Sequence, residues 1–560
     1  MTQSNSLETP PVALESTEKP YEIKNLDHLG LIAAQFDDLG LVEQIDSMVP
    51  QDKEKRTVSS GQAVKAMVIN GLGFANHTLY LMPEFFADKP VERLIGPGIT
   101  ADDLNQNLFG RSLDVIHGFD VTQFYMRLSA HTVKQLDLPC LGAHIDTTSF
   151  HLDGDYNSNH KDVKEGVVKI TNGYSRDHRP DLNQVGLQMI VENQAGIPLV
   201  MQALDGNSSD KNTFAAAINT HVKQLQMDLG VVYIVGDSAL YTAKSLAEMK
   251  DIFWISRVPE TLSDAKYIIE EMSPQLMADI RQEASSSVCM DYAGVKQRWV
   301  VNYSPQAYQR ALKSVNKQCL KLSSQELKQF EKLCQNEFAC EKDTIKALEA
   351  FEKKLKVTQI REYSAIKKPR FNKKGRPAKD AQPDYYTWRI EGGLASIIET
   401  REVKLRRKSC FILATNQLDD SELSEEELIR KYKQDQQKVE RGFRFLKDPQ
   451  FLAATLYLKK PERIMALLMI MTLSLLIYAT LEYRIRKALV EEDKTFPNQK
   501  KQSIQNPTAR WVFQYFSGIH ELKIDEKEIL IINMKIQQLL ILRLLGKGFQ
   551  KIYAGTRQQV

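Results

Sequence analysis

Apolar positions along the chain change period at one point, and that change divides it. Over residues 26–49 they recur at helical spacing on either side of Gly40 (Leu29, Ile32, Ala33 and Phe36, then Leu41, Val42 and Ile45), which predicts two short helices. Residues 59–74, 100–116 and 120–136 repeat the helical period, and Thr100 with Asp103 three residues on predicts a variant capping box at the start of the second of these. Residues 21–139 therefore read as an all-α N-terminal domain. From Leu141 the pattern is that of strands. Residues 142–154 (GAHIDTTSFHLDG) form an extended run of β-branched and aromatic residues ending in a turn pair. Residues 187–191 and 197–203 flank a glycine-containing turn, a hairpin. A turn cluster at 205–210 (DGNSSD) supplies the N-cap of a helix over 211–227. The continuous apolar run 231–235 (VVYIV) suits a strand buried on both faces, and a helix over 242–249 and a strand over 252–256 follow. Strand, hairpin, helix, strand, helix, strand predicts an α/β, RNase H-like catalytic domain whose first part covers residues 140–257. In such an open sheet the site lies at the strand ends, where Asp146 and Asp237 could meet.

The order is then interrupted. A long charged helical pattern over 323–355, strand-like pieces at 297–303 and 385–390, and a basic linker at 367–379 make residues 258–416 an inserted subdomain. A final strand at 410–414 leads to a helix over 424–447 with acid at its start and base near its end, in agreement with the helix dipole. Residues 417–482 complete the catalytic core. They include an uncharged run at 464–481, 18 residues long, which is the lower limit for a membrane span but reads better as a buried core helix after Pro461. Residues 483–560 are expected to be a helical C-terminal region, with an apolar helix near 534–545 that could complete the core or join two protomers. Residues 1–20, rich in Ser, Thr, Glu and Pro, are expected to be a disordered tail.

Length and charge sharpen this division. At 560 residues the chain is too long for one core, and two to four domains are expected. The formal charge of +3 is uninformative, but residues 1–139 hold 11 basic against 19 acidic side chains, whereas residues 351–408 hold 17 against 7. That basic stretch is the footprint a nucleic acid would want. Six cysteines without a CxxC pair fit a reduced compartment, and the absence of a basic flank followed by an apolar run at the amino terminus predicts no signal peptide, so a cytoplasmic protein is expected.

Asp146 stands in the middle of the first strand, where an unpartnered carboxylate would be costly. It must find a hydrogen-bond partner, another charge or a metal ion. Asp237 and Glu440 can be proposed as companions. On the helix over 424–447, Tyr432, Gln436, Glu440, Arg444 and Lys447 share one face, beside an apolar stripe of Val439, Phe443 and Leu446. By spacing alone this face has a plain reading, a solvated surface with a Glu440–Arg444 pair.

The wording of the segments taken together resembles the DDE transposases of bacterial insertion sequences, specifically the insertion-sequence-four superfamily and its sixteen-thirty-four group. The resemblance rests on NLDHLG at 25–30, the box around Asp146, GYSRDHRPD at 173–181, GNSSD at 206–210, GDS at 236–238 and VERGFRFLKDP at 439–449. The superfamily's pattern on the last helix is Tyr, two residues, Arg, three residues, Glu, six residues, Lys. Glu440 and Lys447 fit it, but Gln436 stands at the Arg position and Tyr432 falls one residue early. The resemblance implies that Asp146, Asp237 and Glu440 hold two Mg²⁺ ions, with Mn²⁺ as substitute, for strand cleavage and transfer. It implies double-stranded DNA as partner, both terminal inverted repeats and target, a homodimer in the synaptic complex, and no membrane. Relatives with an insertion between the second Asp and the Glu pass through a DNA hairpin, and 203 residues separate Asp237 from Glu440 here. A catalytically silent DNA-binding remnant is the alternative, since the Arg position already departs.

Further DNA contacts are expected from Lys447, Arg444 and Tyr432 on that helix. Trp299, with Arg298 beside it, is a candidate for stacking a flipped base, against competition from Trp254, Trp388 and ordinary packing. Lys374 and Arg376 in the linker suit a minor groove, a generic phosphate loop or plain solvent. Arg176 and Arg179, after the first strand, suit backbone phosphate or a polar loop. The basic cluster at 401–408 has the same two readings. His144 and His151 flank Asp146 without a third nearby ligand, so they are not expected to bind metal.

Overall fold

The computed structural model describes residues 21–50, 57–74, 78–152, 156, 165–174, 179–372, 375, 381–448, 458–524 and 528–556. The expected tail at 1–20 and residues 373, 374 and 376–379 of the basic linker lie outside the described residues. The chain forms two compact units, one from residues 1–235 and 433–560, the other from 236–432.

The first unit begins with β1 (Tyr21–Asn25) and helices at Leu29–Asp38 and Leu41–Met48, which Gly40 separates in a left-handed conformation at φ 62°. Ser60–Gly71 follows with a complete capping box between Ser59 and Gln62. The expected helix at 100–116 instead spans Gln106–His117 under an Asn105 cap. Thr100 and Asp103 do pair, at 2.7 Å, but they close the preceding turn. Asp120 caps Val121–Gln135 as its position implies.

The sheet of this unit holds β2 (Gly142–Leu152), β3 (Asn183–Glu192), β4 (Pro198–Leu204) and β5 (Tyr233–Gly236) in the order β4-β3-β2-β5. Gly142 is required by packing, because a Cβ there would stand 2.2 Å from the Tyr233 ring. The helix between β4 and β5 is continuous from Asp210 to Leu229 but carries a π-helical turn at Ile218–Val222.

The uncharged run lies inside a helix of 31 residues, Pro461–Glu491. It is long and apolar enough to cross a membrane, yet 83% of its most apolar window is buried within the protein. Thr480 accepts from the buried Gln35 at 3.1 Å, and Arg463 forks onto Asp114 at 2.7 Å, so the N-terminal helices pack on it directly. Each fully buried Leu or Ile contributes about 1.5–3 kcal/mol, and a helix apolar all round brings both sides of its unit together. Nor is the C-terminal region purely helical: His520–Ile524 pairs with β1 on one side and Glu528–Ile532 on the other.

The second unit contains β6 (Phe253–Arg257), β7 (Ala284–Tyr292), β8 (Val295–Tyr303), β9 (Thr358–Arg370), β10 (Tyr385–Ser396) and β11 (Cys410–Thr415). Its sheet runs β6-β11-β8-β7 and is antiparallel throughout. The strand at 297–303 thus belongs to the sheet that holds β6 and β11. Outside that sheet the unit holds two helices, Pro305–Gln335 and Glu341–Glu352, and the two-stranded ribbon β9-β10. The helical pattern read over 323–355 is broken at Asn336, whose extended backbone (φ −71°, ψ 147°) lets Phe338 bridge to Trp388.

Candidate catalytic carboxylates

β2 is buried at every position but two, Asp146 and His151, which are half-exposed. Asp146 is held at its own backbone, Oδ1 accepting the Thr147 N–H at 2.7 Å. Across the sheet it stands directly opposite Met189 on β3. Directly opposed residues of an antiparallel pair point to the same face, and so does Phe150, four residues along β2.

The helix Glu425–Leu446 lies over that face. The Cβ position of Gly442 is 3.7 Å from the Met189 Cε, and the Lys447 ammonium lies 5.9 Å from the centre of the Phe150 ring. Buried Asp435, Val439, Phe443 and Leu446 form its inward stripe. At 100° per residue, Gln436, Glu440 and Lys447 fall along one rim of that stripe, and Lys438 and Arg441 along the other. The first and third carboxylates are thus brought to one face of one sheet. Glu440 is exposed and accepts from Gln436 Nε2 at 3.1 Å. The Glu440–Arg444 pair of the plain reading does not form: Arg444 Nε reaches only the Glu440 carbonyl, at 3.5 Å.

Asp237 follows β5 directly and is half-exposed. Its Oδ1 accepts the Ala239 N–H at 2.9 Å, an Asx turn, while its carbonyl accepts from the Ser256 hydroxyl at 2.9 Å and the Leu240 N–H at 3.1 Å. The side chain is therefore fixed at a strand end. Among the described residues no group of three or more acidic, histidine or cysteine side chains stands close enough to hold a metal ion. The donor chemistry of Asp146, Asp237 and Glu440, all carboxylate oxygen, nevertheless suits a hard divalent cation.

The other expected contacts divide. Arg444 is exposed and Lys447 half-exposed, whereas Tyr432 is buried. Arg179 is exposed and forks onto Asp181 at 2.8–3.2 Å. Arg176, Lys374 and Arg376 lie outside the described residues. Trp299 and Arg298 require correction. Trp299 has no exposed surface, and its indole N–H donates to Tyr241 at 3.1 Å and Gln297 at 3.0 Å, so no ring face is left for a base. Arg298, 3% exposed, is spent on Asp420 and the Leu423 carbonyl. As neighbours on β8 the two side chains point to opposite faces of the sheet, and each is covered by what packs there, Trp299 by Tyr241 and Arg298 by the Asp420–Leu423 segment. Trp254 is also fully buried, while Trp388 is half-buried. In the 401–408 cluster, Arg407 pairs with Glu270. His144 is fully buried, which holds its pKa down at about 3.

The sequence reading passed over Lys438 and Arg441. Their signal was the amphipathic period itself, which leaves polar positions on both rims of a buried stripe.

No curated protein matches the chain. The domain of unknown function DUF4277 matches residues 21–130. A cryo-EM structure of the piggyBac transposase synaptic complex with hairpin DNA is similar at 9% identity and a TM-score of 0.37, over 89% of this chain and 82% of that one. The Transposase DDE domain family matches residues 144–477, more than half of the chain, from the strand that carries Asp146 to the helix that follows Glu440. The chain belongs to the DDE transposases.

Proposed function

We propose that the chain cleaves DNA at the ends of an insertion sequence and joins those ends to target DNA, with Asp146, Asp237 and Glu440 as the carboxylates that hold two divalent ions, Mg²⁺ or Mn²⁺. The observation that carries this reading is the seating of the Glu440 helix on the Asp146 face of β2, through Gly442 on Met189 and Lys447 on Phe150. When bound, the two ions would activate the attacking oxygen and stabilise the leaving one. The chain's own groups supply the rest. β2 fixes Asp146 within a buried strand, the Asx turn fixes Asp237, and Gln436 orients Glu440. Lys447, on the Glu440 rim, would bind a phosphate of the cleaved strand. An RNase H-like core, a hairpin route through the segment between Asp237 and Glu440, synapsis by a homodimer and a cytoplasmic site of action complete the proposal.

One observation favours a second reading, a silent remnant that binds ends without cutting them. Gln436 stands where the superfamily has Arg, and its amide occupies a Glu440 oxygen. The deciding experiment is cleavage of a labelled duplex bearing the element's own ends, with Mg²⁺ or with EDTA, by wild type and by Asp146→Ala, Asp237→Ala and Glu440→Ala. Metal-dependent cleavage is expected, with losses on the order of 10³-fold or more in each variant while end binding persists. Binding without cleavage by wild type under either metal would replace the enzyme with the remnant.

A further inference from the structure

Along the Lys438 and Arg441 rim of the Glu440 helix, and round it to Arg444, the first unit forms a half-open pocket of about 400 Å³. Its walls are the β3–β4 turn at Gln194, Ala195 and Gly196, the Lys438–Asp448 stretch, the long apolar helix from Leu475 to Arg486, and Arg510. Five cations line it, Lys438, Arg441, Arg444, Arg486 and Arg510, against two carboxylates, Glu482 and Asp448.

The carboxylates are committed. Glu482, 9% exposed, accepts from Arg486 at 2.7 Å and from the Ala509 N–H at 3.0 Å. Asp448 accepts from Arg510 at 2.7 Å. The cations are in excess. Lys438 donates to a carbonyl, that of Gln194, at 3.0 Å, Arg441 lies 3.8 Å from Glu482, and Arg444 reaches the Glu440 carbonyl alone. Among the described residues, then, Lys438, Arg441 and Arg444 have no carboxylate at hydrogen-bond distance. Behind them the wall is Gly442, Leu475 and Ala479, with the Phe445 and Tyr478 rings 4.6 Å apart. An apolar wall strengthens the field of the cations in front of it, and guanidinium forks match phosphate oxygens in geometry as well as charge.

We infer that this cavity is a phosphate-binding site, and that its occupant is a phosphate of the DNA strand. The inference rests on the DNA-transposase reading above. The cavity and Glu440 flank one helix, about 10 Å across, so a strand passing Glu440 can place another of its phosphates here. Arg441 is the anchor. Its 58% exposed side chain reaches solvent, so it can be removed without opening the core.

The same chemistry would take a free nucleotide or inorganic phosphate, and the test separates these sources. Binding of a labelled duplex carrying the element's ends is measured by fluorescence anisotropy in EDTA, over a salt series, for wild type, Arg441→Ala, Arg441→Lys and, as a second position, Arg444→Ala. The inference expects Arg441→Ala to weaken binding about 5- to 30-fold and to lower the salt slope by about one phosphate. Arg441→Lys should restore the slope but only part of the affinity, and Arg444→Ala should act in the same direction. Unchanged affinity and slope in both alanine variants would overturn the inference while wild-type binding leaves the transposase reading intact. Absence of duplex binding by wild type at every salt concentration would instead sink that reading, and the DNA occupant with it. In a parallel calorimetric arm, ATP or inorganic phosphate that binds wild type and not Arg441→Ala, with duplex binding unaltered, would overturn the DNA assignment in favour of a free phosphate compound.

Discussion

The first unit and the ribbon part of the second hold themselves together by different means. In the first, a helix of 31 residues is buried almost all round, and even its polar positions are enclosed: Thr472, Ser474 and Thr480 each return a hydroxyl proton to the helix's own carbonyls. In the second, the ribbon and its two helices close over a small cluster, Phe330, Leu348 and Ile390, edged by partly buried Leu333, Phe338, Phe351 and Ile360. The remainder of that part is held by polar contacts: buried Glu326 accepts from the Lys356 and Thr358 N–H groups and the Thr358 hydroxyl, Glu337 lies between Arg370 and Arg389, and Lys368 pairs with Glu391. The first unit carries Asp146 and Glu440, so rigidity is concentrated where geometry matters to a carboxylate site. The ribbon tolerates looser packing because its shape does not position them.

The largest effect that would sharpen this contrast is Phe330→Ala. Removing a buried Phe costs about 3–5 kcal/mol, and the contact of its ring with Phe351, centres 5.7 Å apart, is lost with it. Hydrogen exchange should show β9, β10 and the helix Glu341–Glu352 losing protection, with amides of β2 and β3 unchanged. Equal loss in β2 and β3 would mean that the ribbon is no independent region, and the comparison would fail.

A smaller effect divides the units by pH. All ten histidines lie outside residues 236–432, so histidine titration belongs to the first unit alone. His28 is buried against Phe513 and Phe74 and bonded to the Leu72 carbonyl at 2.9 Å; burial lowers its pKa from 6.5 to about 4. His144 is lowered further by the same cause. The folded state keeps both neutral while the unfolded chain takes up protons below about 6.5, so stability present above that pH is lost as pH falls towards the folded values. For His28 the shift corresponds to about 3 kcal/mol. Denaturation followed at pH 7 and pH 4.5 should therefore show the first unit weakened by the two histidines together, and His28→Phe should remove about half of the difference, the His144 share remaining. An acid loss of the same size confined to the second unit would contradict the assignment.

The same contrast governs what the sequence could say. In the first unit long-range packing agrees with local pattern. Ser59 and Asp120 cap the helices they precede, the hairpin turns at Gly196, and the order from β2 to β5 is the order of apolar runs. The surroundings of two carboxylates were legible for the same reason, since Asp146 interrupts a buried strand and Glu440 borders a buried stripe, but spacing alone left Glu440 on a solvated face and only the resemblance joined the two. What local pattern could not convey was pairing between distant segments. β1 finds its partner nearly 500 residues away, in a region whose apolar period read as helical. In the second unit β7 and β9 are polar and half-exposed, so they lack the alternation that marks a strand, and the ladder partner defines them. Trp299 was misplaced on similar grounds: a tryptophan beside an arginine looks like a surface pair until distant segments, Tyr241 on one face and Asp420–Leu423 on the other, cover the two.

The smallest effect lies in the ribbon's surface charge. Glu337 accepts from Arg370 and from Arg389, each of the three side chains about one-third exposed, and Thr387 lies 3.3 Å from Arg370. The two arginines hold the Glu337 carboxyl below its ordinary range. Water reaches all of these groups, so Glu337→Ala should cost little stability, and less at high salt. It would also release two guanidinium groups beside Tyr385 and Tyr386, which are 52% and 46% exposed. If the ribbon touches DNA, the variant should bind a duplex more tightly at low salt, with a steeper salt slope, even as the ribbon itself becomes slightly less stable. A loss of several kcal/mol would show instead that the pair is a buried structural element, and the distinction between an apolar first unit and a charge-held ribbon would no longer stand.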